Sequence, residues 1–285
     1  MGTTVNKMSR QLAAVLLLFV GMLQAQSHPL RSGTHFGVSL PPKVLALWDE
    51  VSAGYGKTIR EETMDFSVSR SYGFSDVDEN GTPFIRLSEP GRSKENIAHE
   101  LMHLKLRLEG YPFAIGWTGG CTRHVMIRDW LRANLKDPIE HWIFYPRIRA
   151  LGITPDPELK RDIAQAIQRG SFAWGNNLTT WELATFYFRA LTLPKNGRLR
   201  RKMLAWYRRK GWTQAMQLGD QMFGILTDVR PSTPDEEMTV FLRCANTLFK
   251  DEISFRGNGW TTLTRGRVVL RVFNVEVVPL VPCSL

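Results

Sequence analysis

Cysteine is scarce: three residues in 285, at 121, 244 and 283, with no Cys-x-x-Cys pair. That spacing excludes a zinc knuckle built from cysteine and a dense disulfide scaffold. In an oxidising compartment three cysteines allow one disulfide and a free thiol, and sequence alone does not choose the pair. Glycine (23) and proline (15) are too few for a collagen-like or low-complexity chain. Long apolar runs are missing too, apart from Leu12–Leu23, which excludes a multi-spanning membrane protein. Acid is in deficit, with 27 Asp and Glu against 37 Lys and Arg, a net charge of +10. With 43% hydrophobic residues the chain can still bury a sizeable core.

The apolar run follows Lys7 and Arg10 and ends at Leu23-Gln24-Ala25. A positive start, about twelve apolar residues and a small residue at the cut have the form of a secretory signal. Residues 1–25 are therefore expected to be removed after Ala25 and the protein exported, to a periplasmic or extracellular location. No cysteine follows the run to accept a lipid anchor.

Residues 26–42 are polar and punctuated by Pro and Gly, which predicts a leader loop. Val44, Leu47, Trp48 and Val51 recur at helical spacing over Lys43–Ser52. Thr63–Ser71 alternates weakly and Pro83–Leu87 is apolar, two strands either side of a turn tipped by Asn80-Gly81. From about Ser93 to Phe249 helical patterns dominate, with no internal repeat, and Arg267–Val278 alternates as a strand or half of a hairpin. The expected class is α+β: predominantly helical, with a small N-terminal sheet and a C-terminal β segment. A core over 43–195 and a helical and β region over 196–285, packed on it, is the expected division.

The chemistry lies in Ser93–Leu104, which contains His99-Glu100-Leu101-Met102-His103. Residues four apart share a helix face, so both imidazoles reach one metal ion. Glu100, one position on from His99, can then face water beside that ion as a general base. Ser93 is a good N-cap and Gly110 a good residue just past the end. Ile97, Leu101, Leu104 and Leu108 form an apolar stripe to dock the helix. Pro83–Leu87, just upstream, is placed as an edge strand for an extended substrate.

A strand, a turn and a helix carrying H-E-x-x-H resemble the zincin superfamily of zinc metallopeptidases, over about residues 60–150. The metzincin extension is absent, since the sequence continues Leu104-Lys105-Leu106-Arg107-Leu108-Glu109. The gluzincin branch takes its third ligand from a Glu on a later helix. That resemblance implies one Zn²⁺ per chain, held by His99, His103 and a downstream residue. Glu140, 37 residues after His103, is the first choice; Asp137 and Pro138 would start its helix, which Pro146 would cut. Glu140 could instead close a capping box with Asp137. Glu182 and His141 are the alternatives. Of the side chains able to stabilise an oxyanion, His124, Tyr111, Tyr145 and Tyr187 are available and unranked. Gly116–Gly120 reads as a loop at the rim of a cleft.

The segment 198–210 is a basic amphipathic helix that offers a weak contact to an anionic surface. No nucleic-acid module is present, and nucleic acid is not an expected partner. The expected function is zinc-dependent hydrolysis of a peptide or protein substrate. Hydrolysis of cell-wall peptide amides, or a non-catalytic zincin-like binding or scaffold protein, are its rivals.

Overall fold

The computed structural model describes residues 33–65, 72–122, 124–172, 178–194 and 197–283. The expected signal over 1–25 lies outside the described residues. No helix among the described residues is long and apolar enough to cross a membrane. The expected leader loop is structured from Gly33: β1 (Thr34–His35) and β2 (Val38–Ser39) form a small hairpin. Phe36 and Gly37, both at positive φ, make its turn, as two-residue hairpins require. Helix α1 (Pro42–Tyr55) starts on proline, buries Val44, Leu47, Trp48, Val51 and Tyr55, and ends at Gly56 in the left-handed region.

Three strands follow, β3 (Arg60–Met64), β4 (Gly73–Val77) and β5 (Pro83–Ser88), in the order β3-β5-β4. β3 begins before the expected Thr63, and residues 66–71 of that expected strand lie outside the described residues. β5 is the central strand, parallel to β3 and antiparallel to β4, so the expectation of Pro83–Leu87 as an edge strand is corrected. Its residues are buried on both faces, which suits a strand with neighbours on both sides. β3 and β4 are the edge strands of this sheet.

Helix α2 (Lys94–Leu108) lies against this sheet. Then comes β6 (Ala114–Gly119), where the sequence suggests a loop. β6 pairs in parallel with β8 (Val268–Pro279), and β8 pairs antiparallel with β7 (Ile253–Arg265). A disulfide joins Cys121, just after β6, to Cys283, just after β8. Cys244 is the buried free thiol, and burial pushes its pKa up.

After β6 come α3 (His124–Leu131), a π-turn (Arg132–Lys136) and α4 (Asp137–Ala150), in one continuous helical rod. Asp137 is thus inside the rod, and neither an N-cap nor half of a capping box. Pro138 has no N–H to donate to the preceding turn, and the wider π-turn before it absorbs the missing bond. Pro146 does not end α4 either, because buried Ile143, Phe144, Tyr145 and Ile148 dock the helix on both sides of it. The remaining helices are α5 (Pro157–Arg169), α6 (Thr180–Thr192), α7 (Gly197–Lys210), α8 (Thr213–Val229) and α9 (Pro234–Leu248). α8 packs on α6 and β8 completes the sheet of β6, so residues after 196 finish layers begun before 195.

Candidate metal centre

Helix α2 is fixed at both ends and along one side. The Ser93 hydroxyl accepts from the Asn96 N–H at 3.1 Å. At the other end Gly110, at φ 88°, lets its own N–H reach the Arg107 carbonyl and the Tyr111 N–H reach Leu106. This is a Schellman ending. Ile97, Leu101 and Leu104 have no exposure, whereas Leu108 at the rim is 37% exposed. Each buried aliphatic side chain contributes about 1.5–3 kcal/mol, more than any cap, so docking sets the helix's rotation. That rotation turns His99, Glu100 and His103 toward a cleft of about 740 Å³ between β4, α2, the π-turn and the start of α5.

His99 and His103 line this cleft, and His141 stands buried beside them. His99 Nε2 and His103 Nε2 are 3.1 Å apart, and ring nitrogens of His99, His103 and His141 all lie within 4.8 Å of one another. Each ring is braced from behind. Asp156 takes His99 Nδ1 at 2.8 Å on one oxygen and His141 Nδ1 at 3.3 Å on the other. Glu140 Oε2 takes His103 Nδ1 at 3.1 Å. An imidazole that donates from Nδ1 keeps its Nε2 lone pair free for a metal. His141 Nε2 is buried and makes no hydrogen bond among the described residues, with Asp137 Oδ2 3.6 Å away, a costly arrangement unless something else occupies that lone pair.

Glu140 is therefore placed behind His103. Its second oxygen is engaged by the Lys136 ammonium. A second grouping, His103 with Asp137 and Glu140, also falls within 4.8 Å, but a cation there would sit beside Lys136. Glu182 is elsewhere: it closes the capping box of α6, accepting from the Thr179 N–H at 2.8 Å. None of Tyr111, Tyr145, Tyr187 and His124 lines the cleft. Tyr145 braces the cluster, its hydroxyl donating to Asp156.

Asp156 escapes a reading of the sequence, where it appears only as a break between two prolines. It stands in the left-handed region, φ 43° and ψ 58°, uncommon for a residue with a side chain. The geometry lets one carboxylate reach two imidazoles and a phenol. Burial opposes its ionisation, but the charges of His99 and His141 hold it well below the usual carboxylate range. Burial would push His99 down, yet Asp156 outweighs it and lifts that imidazole to about 9. His141, where burial dominates, is pushed down. Glu140, against its own burial, is held low by Lys136 and His103. In formal charge, Glu100, Asp137, Glu140 and Asp156 outnumber Lys136 and Arg189 by two, which suits a divalent cation.

Glu100 is 7% exposed and lines the same cleft. Its carboxylate lies against Gly73 of β4: a Cβ at Gly73 would stand 2.9 Å from Glu100 Oε1 and 2.8 Å from Leu87 Cδ2. A larger groove of about 950 Å³, between α5 and α7, contains none of these residues and is rimmed by Lys160, Arg198, Lys202 and Arg209. In comparisons with family models, with curated proteins and with solved structures, nothing matches this chain. The zincin resemblance therefore rests on α2 and the residues gathered around it.

Proposed function

We propose that this chain is an exported, zinc-dependent metallopeptidase, with His99, His103 and His141 as metal ligands and Glu100 as general base. The carrying observation is the convergence of three imidazoles, each with a carboxylate at its Nδ1 (shared with the Tyr145 hydroxyl at His141), and a buried His141 Nε2 that makes no hydrogen bond among the described residues. Two nitrogens bound tetrahedrally at zinc distances lie about 3.3 Å apart, and the 3.1 Å between His99 and His103 is close to that. Three neutral imidazoles with an open fourth position form a catalytic donor set, whereas structural sites are closed by four protein ligands. Glu140, expected from the resemblance as third ligand, becomes the group that orients His103.

When bound, zinc supplies the Lewis acidity that brings the pKa of water near neutrality and polarises a carbonyl. Glu100 takes the proton of the attacking water and passes it to the leaving amine. Asp156 and Glu140 hold the imidazoles in the tautomer that leaves Nε2 free. A peptide as the substrate is what the resemblance of α2, with His99, Glu100 and His103, to the zincin motif helix implies.

Purified without chelators, the mature protein is expected to carry about one zinc per chain and to cleave peptides in a mixed library, losing both on dialysis against chelator. Absence of zinc, or a zinc-loaded protein that cleaves no peptide, overturns the proposal. Gly73→Ala is a finer check. The added methyl meets Glu100 and Leu87 inside contact distance, so kcat/KM should fall about tenfold or more at unchanged zinc content. An unaltered rate would mean that Glu100 need not stay where Gly73 allows it.

A further inference from the structure

We infer that the groove between α5 and α7 is a docking site for an acidic amphipathic helix of a partner protein. Lys160, Ala164 and Ile167 recur along one face of α5, and Leu199, Lys202 and Trp206 along one face of α7. The short side chains of Ala164 and Ala205 leave about 950 Å³ open between the two helices. Trp206 is buried and Ile167 and Leu199 are half-buried, so the floor is apolar. Every charge on the lining is positive: Lys160, Arg198, Lys202 and Arg209, with no acid among the lining residues. The acids of α5, Glu158 and Asp162, line the metal cleft instead. None of the four cationic side chains makes a hydrogen bond or ion pair among the described residues. Asp156, whose charge reaches Lys160, is already held by His99 and His141.

α7 carries seven cations and no acid. Arg208, Arg209 and Lys210 suit its last turn, where the helix dipole favours positive charge. Arg198 stands in the first turn, where the dipole opposes it, and it repels Lys202 at a four-residue step. That arrangement costs α7 stability until anions lie along the groove. From Arg198 to Arg209 the cations spread over about 16 Å of helix, too far for one small anion to reach them all. A flat anionic membrane would meet the rim and leave the apolar floor uncovered. A polyanionic glycan has nothing to lay on Ile167 and Leu199. A helix with an apolar stripe and acids on its flanks covers both floor and rim, as helices held in grooves do. Groove and metal cleft share no lining residue, so this docking requires neither the metal nor the peptidase reading.

Fluorescence anisotropy of labelled peptides with the full mature protein tests this. Three acetylated, amidated peptides of about fourteen residues serve as probes, each long enough to span the groove as a helix. One has Leu along one face and Glu on both flanks, the second has Gln for Glu, and the third has the first one's residues in an order that breaks the face. The amphipathic Glu peptide should bind about tenfold tighter than either control, and more weakly as salt rises. Lys202→Gln with Arg209→Gln should erase that advantage. Arg201→Gln with Lys210→Gln removes the same charge from α7 outside the groove and should preserve it. All four positions are exposed, so neither pair of changes disturbs the core. Equal binding of the Glu and Gln peptides, or of the two Glu peptides, overturns the inference, as does equal loss in both double variants. Binding of no peptide overturns it too. Capture by phosphatidylglycerol vesicles in that case, lost with Lys202→Gln and Arg209→Gln, would make the occupant a membrane surface.

Discussion

Glu100→Gln should leave zinc content and thermal stability near those of the wild type while lowering kcat/KM for peptides by about 10²–10⁴-fold or more. The amide fits the space of the carboxylate against Gly73, so the cleft keeps its shape. What is lost is the ability to take a proton from water and return it to the leaving amine. Glu100 makes no ion pair among the described residues, so no bracing contact is lost with its charge. Metal analysis beside peptide kinetics separates the outcomes. Full activity removes Glu100 from the mechanism. Loss of zinc together with activity would make it a ligand.

His141→Ala should empty the site at zinc concentrations that saturate the wild type. The variant removes one of three donor nitrogens and leaves Asp156 with one imidazole fewer. Glu140→Gln keeps a hydrogen-bonding group behind His103 and should weaken zinc by about 10–100-fold, the range for a group that orients a ligand. Glu182→Ala should keep its zinc and cost about 1 kcal/mol, the value of a helix cap. Zinc titrations of the three variants decide between the two assignments. If Glu140→Gln empties the site and His141→Ala does not, the carboxylate is the ligand and the imidazole the brace.

The helix carrying His99, Glu100 and His103 was legible because its signals are local: a cap at Ser93, a glycine at 110 and an apolar stripe between them. Spacing along one helix is geometry that a sequence states directly. The third imidazole is different, since which side chain of α4 faces α2 depends on the phase of a rod that begins at His124. Asp137-Pro138 and Pro146 read as punctuation only while a helix is assumed to stand alone. Asp156 gave no sequence signal, because its role comes from a turn and from partners 57 and 15 residues away. β6 was equally hidden: its parallel partner β8 lies more than 150 residues on, and a short glycine-rich strand has no pattern of its own. The pairing of Cys121 with Cys283 follows from that same sheet, whose two strands end side by side.

The π-turn at Arg132–Lys136 makes the site a matter of counting. A π-turn fits about one residue more than an α-turn into nearly the same rotation, so the helix on either side keeps its phase. Losing a residue there would restore an ordinary helix with Asp137, Glu140 and His141 still turned toward α2. Losing one just after Lys136 would instead turn them by about 100°, together with buried Ile139, Ile143, Phe144 and Ile148. The odd residue of the rod is thus taken up ahead of the donors, whose angle is tied to the buried face of α4.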